Sequence, residues 1–191
     1  MIPPCPPPPP LLQPIARTRT PPPRPEPPAV ASTGPVGAFL VELLTYNGHP
    51  FKDHWAYFVR SHASPDIGVK IHATGSVANG FEFEVKRYHN LNDTTDVPTK
   101  RIPLQWIDAG YFDQDAMLNF GQAKIDNVPV CGFEASLYKV PAPEKTLNSA
   151  ATSGRRITQR DCQTWIVESA DQLVKDGILS QEVADFLHSY K

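Results

Sequence analysis

Hydrophobic and polar positions change period several times along this chain, and each change predicts an element. Residues 38–45, Ala-Phe-Leu-Val-Glu-Leu-Leu-Thr, form a short apolar run that predicts a buried strand. The Asn47-Gly48 pair then predicts a turn, because both residue types tolerate positive φ. Residues 54–59, His-Trp-Ala-Tyr-Phe-Val, are apolar on both faces and suit a central strand. After a loop over 60–66, Ile67, Val69 and Ile71 alternate strictly, and residues 81–85, Phe-Glu-Phe-Glu-Val, alternate again as a half-exposed strand. Three strands in succession with short connections predict an antiparallel meander. Residues 102–106 suit an edge strand because Pro103 cannot donate to a ladder, 108–119 a short helix, and 132–140 a further strand closed by Pro141 and Pro143. A polar loop over 144–154 follows.

The period becomes helical at the C-terminus. Positions 162, 165, 166, 169, 170, 173 and 174 read Cys, Trp, Ile, Ser, Ala, Leu and Val, an i, i+3, i+4 stripe. Asp161 suits the N-cap and Gly177 the stop after Lys175. A last helix over 180–190 carries Val183, Phe186, Leu187 and Tyr190 on one face. The expected fold class is α+β, with an antiparallel sheet packed against a C-terminal helical pair.

Composition divides the chain. Of 22 prolines, 15 lie in the first 35 residues, including runs at 6–10 and 21–23. Proline fixes φ and lacks an N–H, so residues 1–36 are expected to form a disordered, polyproline II-like tail, with one domain over 37–191. The Pro22-x-x-Pro25 spacing beside Arg19 and Arg24 could dock in an SH3-like groove, although an inert leader is the simpler reading. The net charge of −2 leaves the tail positive and the domain negative, with no basic stripe, so nucleic acid is not an expected partner. Three cysteines, Cys5, Cys131 and Cys162, make neither a disulfide framework nor a zinc motif. No signal-peptide pattern or bilayer-length apolar run occurs in the sequence, which leads us to expect a cytoplasmic location with reduced thiols and no integral membrane segment.

Candidate chemistry comes from the predicted hairpin and the first C-terminal helix. A loop centred on Ala63 sets Val59 opposite Ile67, Tyr57 opposite Val69 and Trp55 opposite Ile71, three apolar pairs on one face. The same register sets His54 opposite His72 on the other face, beside Ala56, Lys70 and Gly68. Cys162 starts the amphipathic helix, where N–H groups and an imidazole neighbour are expected to lower a thiol pKa. A thiol at a helix start, a histidine on a facing strand and a second histidine orienting the first suit nucleophilic catalysis. Each feature also has a structural reading, the cysteine as a small core residue and the histidines as satisfied polar groups.

The strings Asp53-His54-Trp55-Ala56-Tyr57-Phe58-Val59, Val69-Lys70-Ile71-His72-Ala73 and Asp161-Cys162-Gln163-Thr164-Trp165-Ile166-Val167 resemble the lecithin:retinol acyltransferase-like proteins. These belong to the circularly permuted, papain-like NlpC superfamily. The resemblance implies His54 as base, His72 as orienting group and Cys162 as nucleophile, with the histidines before the cysteine. It departs at Asp161, where the family has asparagine, and at Gln163-Thr164-Trp165, where it has Glu-His-Phe.

The expected function is therefore a cysteine-dependent hydrolase or acyltransferase acting on an ester, amide or isopeptide carbonyl of a small-molecule, lipid or peptide substrate. The alternative is a catalytically inactive binding or regulatory module of the same fold, favoured by Asp161 and the altered residues after Cys162. No cofactor or metal is expected, since His54 and His72 lack an obvious third ligand. Cys131 is expected to be structural, His49, His62, His89 and His188 solvated, and Glu82 and Glu84 to form a solvent-facing pair.

Overall fold

Four consecutive strands build the meander that the alternation predicts: β1 (Phe39–Tyr46), β2 (His54–Arg60), β3 (Ile67–Ser76) and β4 (Gly80–Asn90). The structure, a computed structural model, describes residues 25–93, 95, 97–145 and 159–191. The proline runs, Cys5 and most of the polar loop after Glu144 lie outside the described residues. β5 (Lys100–Ile107) returns to the free side of β1, and β6 (Lys124–Asp126) adds to β4, giving an all-antiparallel open sheet in the order β5-β1-β2-β3-β4-β6. β5 is an edge strand, as its proline requires, and Pro103 faces Glu42 beside an irregularity in the ladder.

Four α-helices accompany the sheet among the described residues: α1 (Gln114–Met117), α2 (Gly132–Tyr138), α3 (Cys162–Lys175) and α4 (Gln181–Tyr190). The short helix expected within 108–119 is α1, and α3 and α4 lie where the helical stripe placed them. Gly177 takes φ 71° after α3, the left-handed stop that glycine supplies without a Cβ penalty.

Two expectations are corrected. Residues 132–140 are mostly helical, not a strand. Phe133 and Leu137, one turn apart, both enter the core, and an apolar run this short fits either period. The β2–β3 register is Tyr57 opposite Ile71 and Val59 opposite Val69, two residues away from the apolar matching. A shift of two keeps every side chain on its face, so apolar pairing cannot detect it. The loop decides: the Ser61 N–H bonds the Ile67 carbonyl at 2.8 Å, and the Ser64 N–H bonds Ser61 Oγ at 3.1 Å, which centres the turn on Ser64. β6 was not foreseen, since its span is too short to show a period.

The main core lies between the sheet and the helices. Leu43, Tyr57, Ile71 and Val85, from four neighbouring strands, meet Phe133, Leu137, Trp165, Ile166 and Leu187. Tyr57 carries its hydroxyl into this layer and donates to the Ile166 carbonyl at 2.9 Å, so a buried polar group is satisfied. A smaller apolar cluster, Leu44, Tyr46, Ala56, Phe58 and Leu91, occupies the other face. Residues 25–38 form no helix or strand, but the Trp106 indole N–H bonds the Ala31 carbonyl at 2.8 Å, tying this segment to β5.

One buried cation joins the β4 side of the sheet to α2. Arg87, 2% exposed, pairs with both oxygens of the fully buried Glu134 at 3.0 and 3.1 Å. Its Nε donates to Asp126 of β6 at 3.1 Å, and Nη2 donates to the Val128 carbonyl at 2.8 Å. Removing one partner leaves an uncompensated buried charge, which costs about 3–5 kcal/mol. Arg87→Ala and Glu134→Ala should each lower urea-unfolding stability by that order, and the double replacement should cost less than the two added together.

Candidate functional site

The first residues of β2 and of α3 are brought together at one end of the sheet. The β1–β2 loop tightens sharply there: a Cβ on Gly48 would stand 1.9 Å from the Lys52 carbonyl oxygen. Glycine is therefore required for close backbone approach, whereas positive φ, the reason anticipated from sequence, is not used at this position.

α3 begins with a full capping box. The Asp161 carboxylate accepts from the Thr164 N–H at 2.9 Å, and Thr164 Oγ1 accepts from the Asp161 N–H at 3.3 Å. Lys52 reaches Asp161 Oδ2 at 2.9 Å, and the Gln163 side-chain amide donates to the Asp53 carbonyl at 2.8 Å. These two contacts dock the helix start onto the residues just before His54. Trp165 is fully buried and donates to the Val140 carbonyl at 3.1 Å. The four residues that depart from the resembled motif, Asp161, Gln163, Thr164 and Trp165, thus each have a structural task here.

His54 opens β2 on the face opposite Trp55 and Tyr57. Its Nε2 lies 2.7 Å from His72 Nδ1, so the two imidazoles meet as expected, though diagonally and not as a directly opposed pair. Beyond them stands a group that the sequence reading placed in solvent. Glu84 faces His72 directly across the β3–β4 ladder, and its Oε1 lies 2.9 Å from His72 Nε2. Only Glu82 of that pair is exposed. Glu84 could have been found from the matching of Ile71 with Val85 and Ala73 with Phe83, which puts residue 84 opposite residue 72.

Burial pushes the His72 imidazole below its ordinary pKa, against the Glu84 bond that pulls it up, so the ring is held neutral. The hydrogen bond from His72 holds the Glu84 carboxyl below its usual range, assisted by Lys86 at 3.8 Å. Lys70, 1% exposed, places its ammonium 4.0 Å from the Tyr46 ring centroid, and that ring packs against His54.

Cys162 is 8% exposed, and burial pushes its thiol pKa up. Hydrogen bonding from the Trp55 backbone N–H pulls it down, and the Asp161 charge pushes it up again. The lowered pKa expected at a helix start is therefore overturned, because desolvation outweighs the N-terminal amides. Burial also raises Asp161, but Lys52 and the Thr164 N–H outweigh it and keep the carboxylate ionised.

His54 and Cys162 line one cleft of about 890 Å³. Pro50, Phe51, Val77, Ala78 and Phe81 make much of its wall apolar, with Lys52 and Asp161 at the helix start. Cys131 is not in this cleft. It is the N-cap residue of α2, not the start of a strand, and burial pushes its thiol up to about 11, which suits a structural role. His62 stacks on Phe39 and His188 pairs with Asp171, both exposed, and His49 is exposed in the β1–β2 loop. His89, at the far end of β4, is half-buried. Among the described residues no group of three His, Cys, Asp or Glu side chains could hold a metal ion, and no helix is long and apolar enough to cross a membrane.

Residues 41–180 match the model of a family of unknown function (DUF6540), and the chain belongs to that family. The matched span holds His54, His72, Glu84 and Cys162 and ends before α4. Neither a curated protein nor a solved structure matches the chain significantly.

Two measurements probe the electrostatics. Asparagine retains the capping acceptor but carries no charge, so Asp161→Asn should lower the Cys162 thiol pKa and speed iodoacetamide alkylation at pH 7.5. The second concerns His72. Its folded pKa lies below the ordinary value of about 6.5, so the unfolded chain binds more protons just below that pH. The stability contribution is present above about pH 6.5 and is lost as pH falls through the folded pKa. Melting temperature should drop between pH 7.5 and 5.5, with a shallower slope in His72→Gln.

Proposed function

We propose that this member of the DUF6540 family is a cysteine-dependent hydrolase or acyltransferase acting on an ester, amide or isopeptide carbonyl. The observation that carries the reading is that His54, bonded to His72 at 2.7 Å, lines the same cleft as Cys162 at the N-terminus of α3. Cys162 is the nucleophile, His54 the base and His72 the group that orients it. The order of these residues and the packing of the α3 helix against an antiparallel sheet favour the permuted, papain-like arrangement of lecithin:retinol acyltransferase-like proteins.

In this scheme His54 takes the thiol proton as Sγ attacks the carbonyl carbon. The carbonyl oxygen becomes an oxyanion, for which the Cys162 N–H is a donor. Collapse breaks the C–O or C–N bond, and His54 returns the proton to the leaving oxygen or nitrogen. Water, or an acceptor hydroxyl or amine, then attacks the thioester with His54 again as base, which releases the thiol. A resting thiol held protonated by burial suits this scheme only if proton transfer accompanies attack, because little thiolate is present beforehand. The apolar cleft wall suits an acyl group carried by a small molecule, a lipid or a peptide.

A second reading, a catalytically inactive binding or regulatory module of this fold, is favoured by one observation: the Cys162 thiol is buried beside the Asp161 carboxylate, and both push its pKa up. An activated acyl ester separates the two. With p-nitrophenyl butyrate, the enzyme reading expects a burst of one equivalent of p-nitrophenol and an acyl adduct on the Cys162 peptide by mass spectrometry. Cys162→Ala should abolish both, and His54→Asn should slow the burst by about 10²-fold or more. Absence of burst and adduct, with iodoacetamide alkylation indifferent to His54→Asn, would establish the binding module.

A further inference from the structure

We infer that Glu84 is a positioning residue that fixes the tautomers of both histidines and so selects which nitrogen of His54 faces the chemistry. Glu84 Oε1 lies 2.9 Å from His72 Nε2, and an ionised carboxylate can only accept, so Nε2 must carry the hydrogen. A neutral imidazole has a single N–H, which leaves His72 Nδ1 as an acceptor. His54 Nε2, 2.7 Å from that acceptor, must therefore be a donor. In neutral His54 the lone pair is then on Nδ1, and that nitrogen is the base. The reverse assignment would direct a lone pair of His72 at a carboxylate, in surroundings where burial makes such a clash expensive.

The neighbourhood agrees with this arrangement. Lys70 of β3 and Lys86 of β4 both disfavour a proton on His72, while Glu84 is the group that favours one. Tyr46 of β1 also packs against His54. The three groups that bond in series come from three consecutive strands of the meander, so the relay is held by the ladder itself. When His54 takes a second proton, its Nε2–H still donates to His72, and the new positive charge is offset by Glu84 through the intervening ring. No proton has to move along the chain. Glu84 is not among the residues lining the cleft and acts only through His72.

The catalytic consequence rests on the thiol-site reading above, but the tautomers can be measured without it. Long-range ¹H–¹⁵N correlation spectra of the histidine-labelled full chain should show both His54 and His72 as Nε2–H tautomers. Glu84→Leu, which removes the acceptor, should convert both rings to mixtures. Glu84→Gln keeps an acceptor oxygen without the charge. It should retain the tautomers while lowering the His54 imidazole pKa by about one unit, with a roughly tenfold fall in Cys162 alkylation at pH 7. An Nδ1–H form of His72 in the wild type, or tautomers indifferent to Glu84→Leu, would overturn the inference. Should Glu84→Leu fail to fold, an unchanged His54 pKa in Glu84→Gln would overturn it equally. Locked, Glu84-dependent tautomers without an acyl-enzyme would sink the proposed chemistry and leave the relay standing. An acyl-enzyme with Glu84-independent tautomers would do the reverse.

Discussion

The site depends on how the first turn of α3 is anchored to the first residues of β2. Helix starts expose unsatisfied N–H groups, and their position on a sheet is otherwise set only by apolar contacts with some freedom to slide. Here Asp161 caps the turn and also binds Lys52, while Gln163 holds the Asp53 carbonyl. Both contacts act on residues adjoining His54, so the helix and the histidine share one reference point. The core then supports that placement from below through Trp165 and Ile166.

The same anchoring has an electrostatic cost. A carboxylate is a good cap but a poor neighbour for a thiolate. The Lys52 ion pair moderates the conflict at the mouth of the cleft without removing it, since Asp161 still pushes the thiol pKa upward. An asparagine would cap without the charge. Asp161 therefore trades thiol acidity for a firmer attachment of α3 through Lys52. The deeper polar pairs, Arg87 with Glu134 and Arg101 with Glu42, attach outlying elements to the sheet and lie apart from the cleft.

Much of this was legible in the sequence where the pattern was long or chemically distinctive. The meander, the edge strand with its proline, the N-cap at Asp161 and the meeting of His54 with His72 all follow from alternation, turn residues and the amphipathic stripe. What escaped has physical reasons. The register of β2 with β3 slipped by two because apolar pairing is blind to even shifts, and only the Ser61–Ser64 turn resolves it. The α2 segment has the pattern of a strand as well as of a helix, because Phe133 and Leu137 satisfy both periods. Glu84 was placed in solvent because a charged residue in an alternating strand normally faces water. Its partner, His72, lies on the neighbouring strand, which the alternation within β4 alone does not show.

The carboxylate of Glu84 changes what the histidine pair can do. Two neutral imidazoles bonded to one another can exchange donor and acceptor roles at little cost, so a bare pair leaves the base nitrogen unspecified. A carboxylate at one end removes that degeneracy, since only one ordering of hydrogens satisfies every contact. The sheet supplies the carboxylate at no cost in loop entropy, because His72 and Glu84 are directly opposed ladder positions. The arrangement needs the side chains of residues 54, 72 and 84 to share one face of three adjacent strands, and a shift of any strand by one residue would send one of them to the other face. The same alternation that buries Tyr57, Ile71 and Val85 beneath the helices therefore sets the order of the polar row on the other side.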